Sequence, residues 1–301
     1  MALFQLISDS GCDFTAQEAA QHKVKTIPFY ITLDQQTHLK EGVDITKGEY
    51  YKRLKAEKDL YPKTTQPSPQ DYIDVYTPYL QAGQDVISLT ISSKLSGTYN
   101  SATLAANMLK EDFPDRTIIV IDSLNVSVGQ GLILRELIKM RDNNYTITQA
   151  AEIAEKIVST VRLYCTLESL EYLRRGGRVG PTTALVGGLL GLRPILHIVD
   201  GMVEQAESVR GSKKMLKLIT EGVVEAVKDD VQNVNISVGH IMGLDDAMTI
   251  RSSIETALDI NITNPVDEVG VTIGTHAGPG ALVVAYCKKF ESFIALGVWQ
   301  I

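Results

Sequence analysis

The chain has 301 residues, 44% of them hydrophobic and 22% charged, with a net charge of -7. That composition belongs to a soluble globular protein large enough for one big domain or two ordinary ones. The acidic balance, with no Lys/Arg stripe interleaved with aromatics, excludes a basic nucleic-acid footprint.

Taken in order, the first half alternates strand and helix signals. Residues 3–8 read as a strand, and Thr15 caps a short helix. Residues 25–33 are apolar and β-rich, with Pro28 marking an edge or bend. Thr46 and Glu49 form a capping-box pattern for a helix through Lys55. Ser68, Pro69 and Asp71 start another helix, which runs to about Gln81 and stops near Gly83. A strand over 85–91, a helix from about Gly97, a strand over 117–121 and a helix over 129–141 follow, the last broken at Asn143–Asn144. This alternation predicts an α/β fold with a parallel sheet covered by helices on both faces. Ligands in such sheets sit beyond the carboxyl ends of the strands, where Asp9–Ser10, 92–96 and Asp122–Ser123 place three hydroxyl-bearing turns on one rim.

The second half changes character. A helix over 148–161 is followed by two β-rich runs, 195–199 and 202–205, flanking Asp200–Gly201, a two-residue hairpin signal. Ser212 is expected to cap a helix through Val227, and strands are expected over 234–241 and 267–273 around a helix over 245–258. Hairpins mixed with crossovers predict a second α/β domain with a mixed or antiparallel sheet. The expected division is an N-terminal domain over 1–160 and a C-terminal domain over 161–301.

Cys12, Cys165 and Cys287 are odd in number and far apart, which suits a reducing cytosol better than a disulfide framework. Residues 1–6 lack a basic region and cleavage pattern, and no apolar run approaches the ~20 residues of a bilayer span. A cytoplasmic location is expected.

Four segments could carry chemistry. Residues 91–102 line up a strand, a hydroxyl-rich turn around Ser96 and a helix start. The unpaired N–H groups and the dipole there suit an anion, and without the Lys of a GxxxxGK[ST] loop a nucleotide is not the obvious guest. Residues 63–69 place Thr64 and Thr65 before a Pro-stiffened turn; if that turn meets Ser96, two hydroxyls converge on one pair of anionic oxygens. Residues 275–281 set His276 beside Gly278–Pro279–Gly280, which leaves a structural or a ligand role open. Arg174, Arg175 and Arg178, with Arg193 further on, form the dense positive cluster. Arg178 and Arg193 bracket an apolar segment with Leu189, Leu190 and Leu192 that reads either as a flexible flap over an amphipathic anion or as plain core. There is no GxSxG elbow, HExxH or close Cys/His metal spacing, and no base is evident for Ser96, so neither a metal nor a cofactor is expected.

Six segments in order resemble the DegV family. They are 7–10 (Ile-Ser-Asp-Ser), 63–69 (Lys-Thr-Thr-Gln-Pro-Ser-Pro), 92–99 (Ser-Ser-Lys-Leu-Ser-Gly-Thr-Tyr), 173–178 (Leu-Arg-Arg-Gly-Gly-Arg), 192–196 (Leu-Arg-Pro-Ile-Leu) and 274–281 (Gly-Thr-His-Ala-Gly-Pro-Gly-Ala). The family usually has Thr-Ser-Gln-Pro where this chain has Thr64–Thr65–Gln66–Pro67, and a hydroxyl is retained. The family includes the fatty-acid-binding subunit of bacterial fatty acid kinase. The resemblance implies a two-domain α/β protein with one long-chain fatty acid in a tunnel between the domains. It implies carboxylate contacts from Thr64, with Thr65 as the alternative, and from Ser96, and a phosphate held by His276 with Arg174, Arg178 or Arg193. It implies no catalysis of its own: the chain would present the carboxylate to a separate ATP-using kinase subunit and carry the acyl phosphate toward phospholipid synthesis, with transient contact at a membrane surface. The competing readings are an acyl hydrolase or transferase using Ser96 and His276, and a lipid-dependent regulatory protein.

Overall fold

The computed structural model describes residues 4–57, 60–178 and 192–294. Its first part runs β1 (Phe4–Asp9), α1 (Ala16–Gln21), β2 (Val24–Ile27), β3 (Tyr30–Thr32), β4 (Leu39–Lys40), α2 (Lys47–Ala56), β5 (Lys63–Thr65) and α3 (Pro69–Gln81). β6 (Asp85–Thr90), α4 (Thr98–Leu109), β7 (Ile118–Asp122), α5 (Val128–Asp142) and α6 (Ile147–Thr160) follow. Then come β8 (Arg162–Thr166), α7 (Glu171–Gly176), β9 (Leu192–Val199), β10 (Met202–Arg210), α8 (Ser212–Val227), β11 (Val234–His240), α9 (Leu244–Leu258), β12 (Val266–Glu268), α10 (Val271–Ala277), β13 (Leu282–Lys288) and α11 (Glu291–Ile294).

The strands β2-β1-β6-β7, in that order, form a wholly parallel sheet. Side chains alternate across a strand, so each strand feeds two cores. Ile7 and Val86 meet Tyr72, Tyr76, Ala102 and Ala105 of α3 and α4 on one face. Phe4, Leu6, Ile87 and Leu89 meet Leu132, Ile133 and Leu137 of α5 on the other. A second sheet, β10-β9-β8-β13-β11-β12, is antiparallel except where β12 joins β11 in parallel. α8 and α9 cover one of its faces through Met215, Ile219, Val223, Ile250 and Ile254. Its other face presents Leu163, Val283, Ala285 and Cys287 to α5 and α6. α5 therefore lies between the two sheets and is buried along nearly its whole length.

Local sequence explains most of these boundaries. Thr15, Thr46, Ser68 and Thr146 each accept the N–H three residues on, with reciprocal capping boxes at the last three. Pro28 separates β2, an edge strand, from β3. Asp200 (φ 48°) and Gly201 (φ 82°) both take the left-handed backbone that a two-residue hairpin needs.

Three expectations are corrected. The strand expected over 267–273 stops at Glu268, and Val271–Thr272–Ile273 are helical in α10. Ser212 is the first residue of α8, not its cap; Gly211, at φ 85°, is the cap and supplies no side-chain bond. Residues 63–65, read as part of a turn, form β5 in a small antiparallel sheet β4-β3-β5. Among the described residues no helix is long and apolar enough to cross a membrane.

Candidate functional site

The parallel sheet changes direction between β1 and β6: β1 leads to β2 on one side, β6 to β7 on the other. Loops leaving the carboxyl ends of those two strands diverge and open a crevice. Asp9, the last residue of β1, ties the crevice together. Its carboxylate accepts from Ile91 N–H at 2.8 Å, Gly11 N–H at 3.0 Å and Gln130 Nε2 at 3.1 Å. Burial pushes its carboxyl up to about 6 against those bonds.

The loop after β6 is held at several points. Ser93 N–H donates to Asp122 Oδ1 at 3.1 Å, and the Ser92 hydroxyl donates to the carbonyl of Gly201, at the hairpin tip, at 2.7 Å. Ser96 Oγ lies 2.6 Å from Thr98 Oγ1 at the start of α4. The turn after β5 reaches this loop: Gln66 Nε2 donates to Ser101 Oγ at 3.1 Å, and a Cβ on Gly97 would stand 2.6 Å from Gln66 Oε1. A side chain at position 97 would have to push the Gln66 amide aside.

β5 pairs with β3 so that Thr64 and Thr65 point to opposite faces. Thr64 turns inward, and its Oγ1 lies 2.8 Å from His276 Nε2 in the last turn of α10. The ring is half-buried, and its Nδ1, sealed from solvent, has no hydrogen-bond partner among the described residues. It packs so tightly on α7 that a Cβ on Gly176 would overlap Nδ1. Burial, with a contribution from the Arg178 guanidinium, pushes His276 down to about 4. Arg178 donates to the carbonyls of Leu95 (3.2 Å) and Gly176 (2.5 Å).

These groups line a largely apolar cavity between the two main sheets. Ile91 and Val126 line it from one side, and Leu163, Leu167, Leu196, Ile198, Val203 and Val283 from the other. Its polar lining includes Thr64, Gln66, Ser96, Arg178 and His276. A second recess lies against Tyr61, Lys63, Tyr172 and Arg175 and shares Thr64, Arg178 and His276 with the first. The Thr64–His276 pair thus stands in the wall between an apolar cavity and an outer recess with cationic side chains. Arg175 stacks 3.3 Å above the Tyr61 ring in that recess.

The structure brings Thr64, Ser96, His276 and Arg178 to one cavity. The other expected residues that the structure describes do not line it. Thr65 is exposed on the far face of β5. Arg174 is exposed and pairs with Glu171 at 2.8 Å, and Arg193 pairs with Glu168 at 3.3 Å. Leu192 opens β9 opposite Arg210, away from the cavity. Leu189 and Leu190 lie outside the described residues. Ser96 contacts Thr98 rather than His276, so the two do not form a nucleophile–base pair. Gln66, Ser127 and Thr272 line the cavity without having been singled out. The strand assigned to 267–273 concealed Thr272; the Gln of the Thr-x-Gln-Pro segment was a usable signal. Among the described residues no cluster of His, Cys, Asp and Glu could hold a metal ion.

Fold and cavity together define an α/β protein with an apolar chamber beyond the carboxyl ends of a parallel sheet. The family model described as "Uncharacterised protein, DegV family" matches residues 3–289. A DegV domain-containing protein of Caldanaerobacter subterraneus subsp. tengcongensis is 32% identical over 292 residues, 96% of this chain and 100% of that protein. Among solved structures, a stearic acid-binding protein from Eubacterium ventriosum superposes with a TM-score of 0.90 at 29% identity, covering 96% of this chain and 99% of that one. A fatty acid-binding DegV family protein from Thermus thermophilus gives 0.84 at 28% identity, covering 95% and 99%. The chain belongs to the DegV family.

Proposed function

We propose that this chain binds one long-chain fatty acid between its halves, 1–160 and 161–301, with the carboxylate at Thr64 and Ser96. It presents that carboxylate to a separate kinase and carries the acyl phosphate toward phospholipid synthesis. The observation that carries the reading is the apolar chamber with Thr64, Ser96 and His276 in its lining, in a fold shared with proteins that bind stearic and other fatty acids.

The chemistry is consistent. Burying about fourteen methylenes of a sixteen-carbon chain yields roughly 11 kcal/mol gross, from which association and ordering subtract a large part. A carboxylate carried into that slot needs hydrogen-bond donors. A hydroxyl has one proton. If Thr64 gives its proton to the ligand, its oxygen accepts from His276, which fixes the proton of the neutral ring on Nε2. Likewise one of Ser96 and Thr98 donates to the other, leaving one proton for the ligand. Neutral donors hold the acid without a buried guanidinium pair quenching the oxygen that must attack phosphorus. Lys63, Arg175 and Arg178 line the outer recess, where they would meet a phosphoryl group added to that oxygen.

Native mass spectrometry of the protein purified from a bacterial host tests the reading. The expected spectrum carries one long-chain acid per chain. A bare mass, with no uptake of added hexadecanoate, would overturn it.

A further inference from the structure

We infer that Glu41 is the positioning residue of the headgroup site: by gripping the first turn of α10 it sets where His276 meets Thr64. This deepens the fatty-acid reading and rests on it for its functional meaning.

α10 has seven residues and no side-chain bond from its own cap residue, Gly270. A helix this short does not hold its position alone. It nevertheless carries Thr272, Ile273, His276 and Ala277 to the cavity, so something outside it must fix its place. Glu41 enters from the loop after β4, where Gly42 takes a left-handed turn at φ 72°. Its side chain is buried, and its backbone N–H donates to the Phe29 carbonyl at 3.0 Å. Oε1 accepts from the N–H groups of Val271 and Thr272, the latter at 3.3 Å. Oε2 accepts from the Thr272 hydroxyl at 2.6 Å and the Ser10 hydroxyl at 2.7 Å. The Ser10 oxygen in turn accepts from Phe29 N–H at 3.0 Å, which aims the carboxylate. One carboxylate thus caps α10 from a segment about 230 residues away in sequence, with charge-assisted bonds. A Cβ on Gly270 would stand 2.6 Å from Glu41 Oε1, so the close approach depends on glycine there. Tyr50, bonded to Thr275 at 2.8 Å, and Tyr51, bonded to the Val269 carbonyl at 2.8 Å, support the same helix from α2.

Glu41→Gln keeps the size but offers one acceptor oxygen where the carboxylate has two, so whichever way the amide lies its NH2 faces groups that donate there, the two N–H groups of α10 or the Thr272 and Ser10 hydroxyls. The first turn of α10 then shifts or rotates, and His276 moves with it. The test uses delipidated full-length protein, with hexadecanoate as probe, read by calorimetric titration, and ¹⁵N-histidine NMR of the ligand-free protein to read the His276 nitrogens. Glu41→Gln is expected to weaken binding about tenfold or more and to move the His276 signals. Ser10→Ala, which removes only the aiming hydroxyl, is expected to do both to a smaller degree. Glu136→Gln, at a buried acid that holds Phe290 N–H at 2.7 Å, is expected to leave the His276 signals in place.

Unchanged His276 signals in Glu41→Gln would overturn the inference, whatever happens to affinity, because weaker binding alone would then reflect general loosening. Equal movement of those signals in Glu136→Gln would overturn it for the same reason. If Glu41→Gln fails to fold, Ser10→Ala decides, and a wild-type spectrum from it counts against the inference. A wild-type protein that takes up no hexadecanoate while Glu41→Gln still moves His276 would leave the positioning role standing and sink the fatty-acid reading instead.

Discussion

At His276 a neutral ring is built into the fold. Its ordinary value of 6.5 falls to about 4, first through burial and then through Arg178. Above pH 6.5 the ring is neutral folded and unfolded and adds no pH dependence. Between 6.5 and 4 the unfolded chain takes a proton that the folded ring refuses, so stability falls with pH; below 4 both states are charged and the loss levels off. At about 1.4 kcal/mol per unit the loss is at most about 3 kcal/mol. Asp9 and Asp13 work the other way. Burial raises them to about 6 and about 7, so the folded state takes up their protons first and gains stability as pH falls. His276→Asn removes only the destabilising trend. Denaturant unfolding should therefore show a variant-minus-wild-type difference that is flat above pH 7 and moves in the variant's favour by up to about 3 kcal/mol toward pH 4. A difference independent of pH would mean that the ring titrates normally. Gly176 makes a separate prediction. It is the last residue of the six-residue α7, where helix propensity counts for little, and its Cβ would overlap the His276 ring. Gly176→Ala should lower the melting temperature, because relieving that overlap moves a packed ring at a cost of about 1–3 kcal/mol, and should weaken hexadecanoate binding about tenfold, a loss of about 1.4 kcal/mol.

Elements whose causes are local were legible in the sequence. Thr46 with Glu49, Ser68 with Asp71 and Thr146 with Gln149 close capping boxes within four residues of chain, so the first two helix starts could be read directly. The hairpin at Asp200–Gly201 was readable for the same reason, since its backbone geometry is demanded by two adjacent residues. α10 was not. Its run of β-branched Val271, Thr272 and Ile273 favours a strand, and the helix is imposed by Glu41, Tyr50 and Tyr51 from segments distant in sequence. Thr64 and Ser96 were named from hydroxyl-rich turns, but the choice between Thr64 and Thr65 depended on the register of β5 against β3, which no local pattern encodes. Arg174 and Arg193 matched a charge pattern; the partner of Arg174, Glu171, stands three residues before it in the sequence, whereas the partner of Arg193, Glu168, only the fold reveals. The hairpin supplies a prediction at this scale. A Cβ at Gly201 would meet Ser92 Oγ at 2.5 Å, on top of the strain of φ 82°. Gly201→Ala should cost about 1–2 kcal/mol and speed amide exchange across β9 and β10, measured by hydrogen exchange, while the β1–β6 amides stay protected.

The two main sheets share helices, which should make the whole molecule unfold as one cooperative unit. A single hydrophobic cluster runs from Phe4 of β1 through Leu132 and Ile133 of α5 and Ile157 of α6 to Val283 and Ala285 of β13. The cavity opens into that same region, lined by Val126 just before α5 and by Leu163 and Val283 of the second sheet. A ligand there replaces missing core contacts on both sides at once, so its removal should weaken both sheets together. A ligand that binds only the folded state at about 100 times its dissociation constant adds about 2.7 kcal/mol, on the order of 5 °C at this chain length. Delipidated protein should therefore melt in a single transition on the order of 5 °C below the hexadecanoate-bound form, followed by circular dichroism. Octanoate lacks eight of the methylenes, about 6 kcal/mol at ~0.8 each, and should give no shift at the same concentration. Equal shifts from both acids would mean that the carboxylate alone is recognised and the apolar chamber is idle. Two separate transitions in the delipidated protein would mean that the halves fold independently and the shared helices do not couple them.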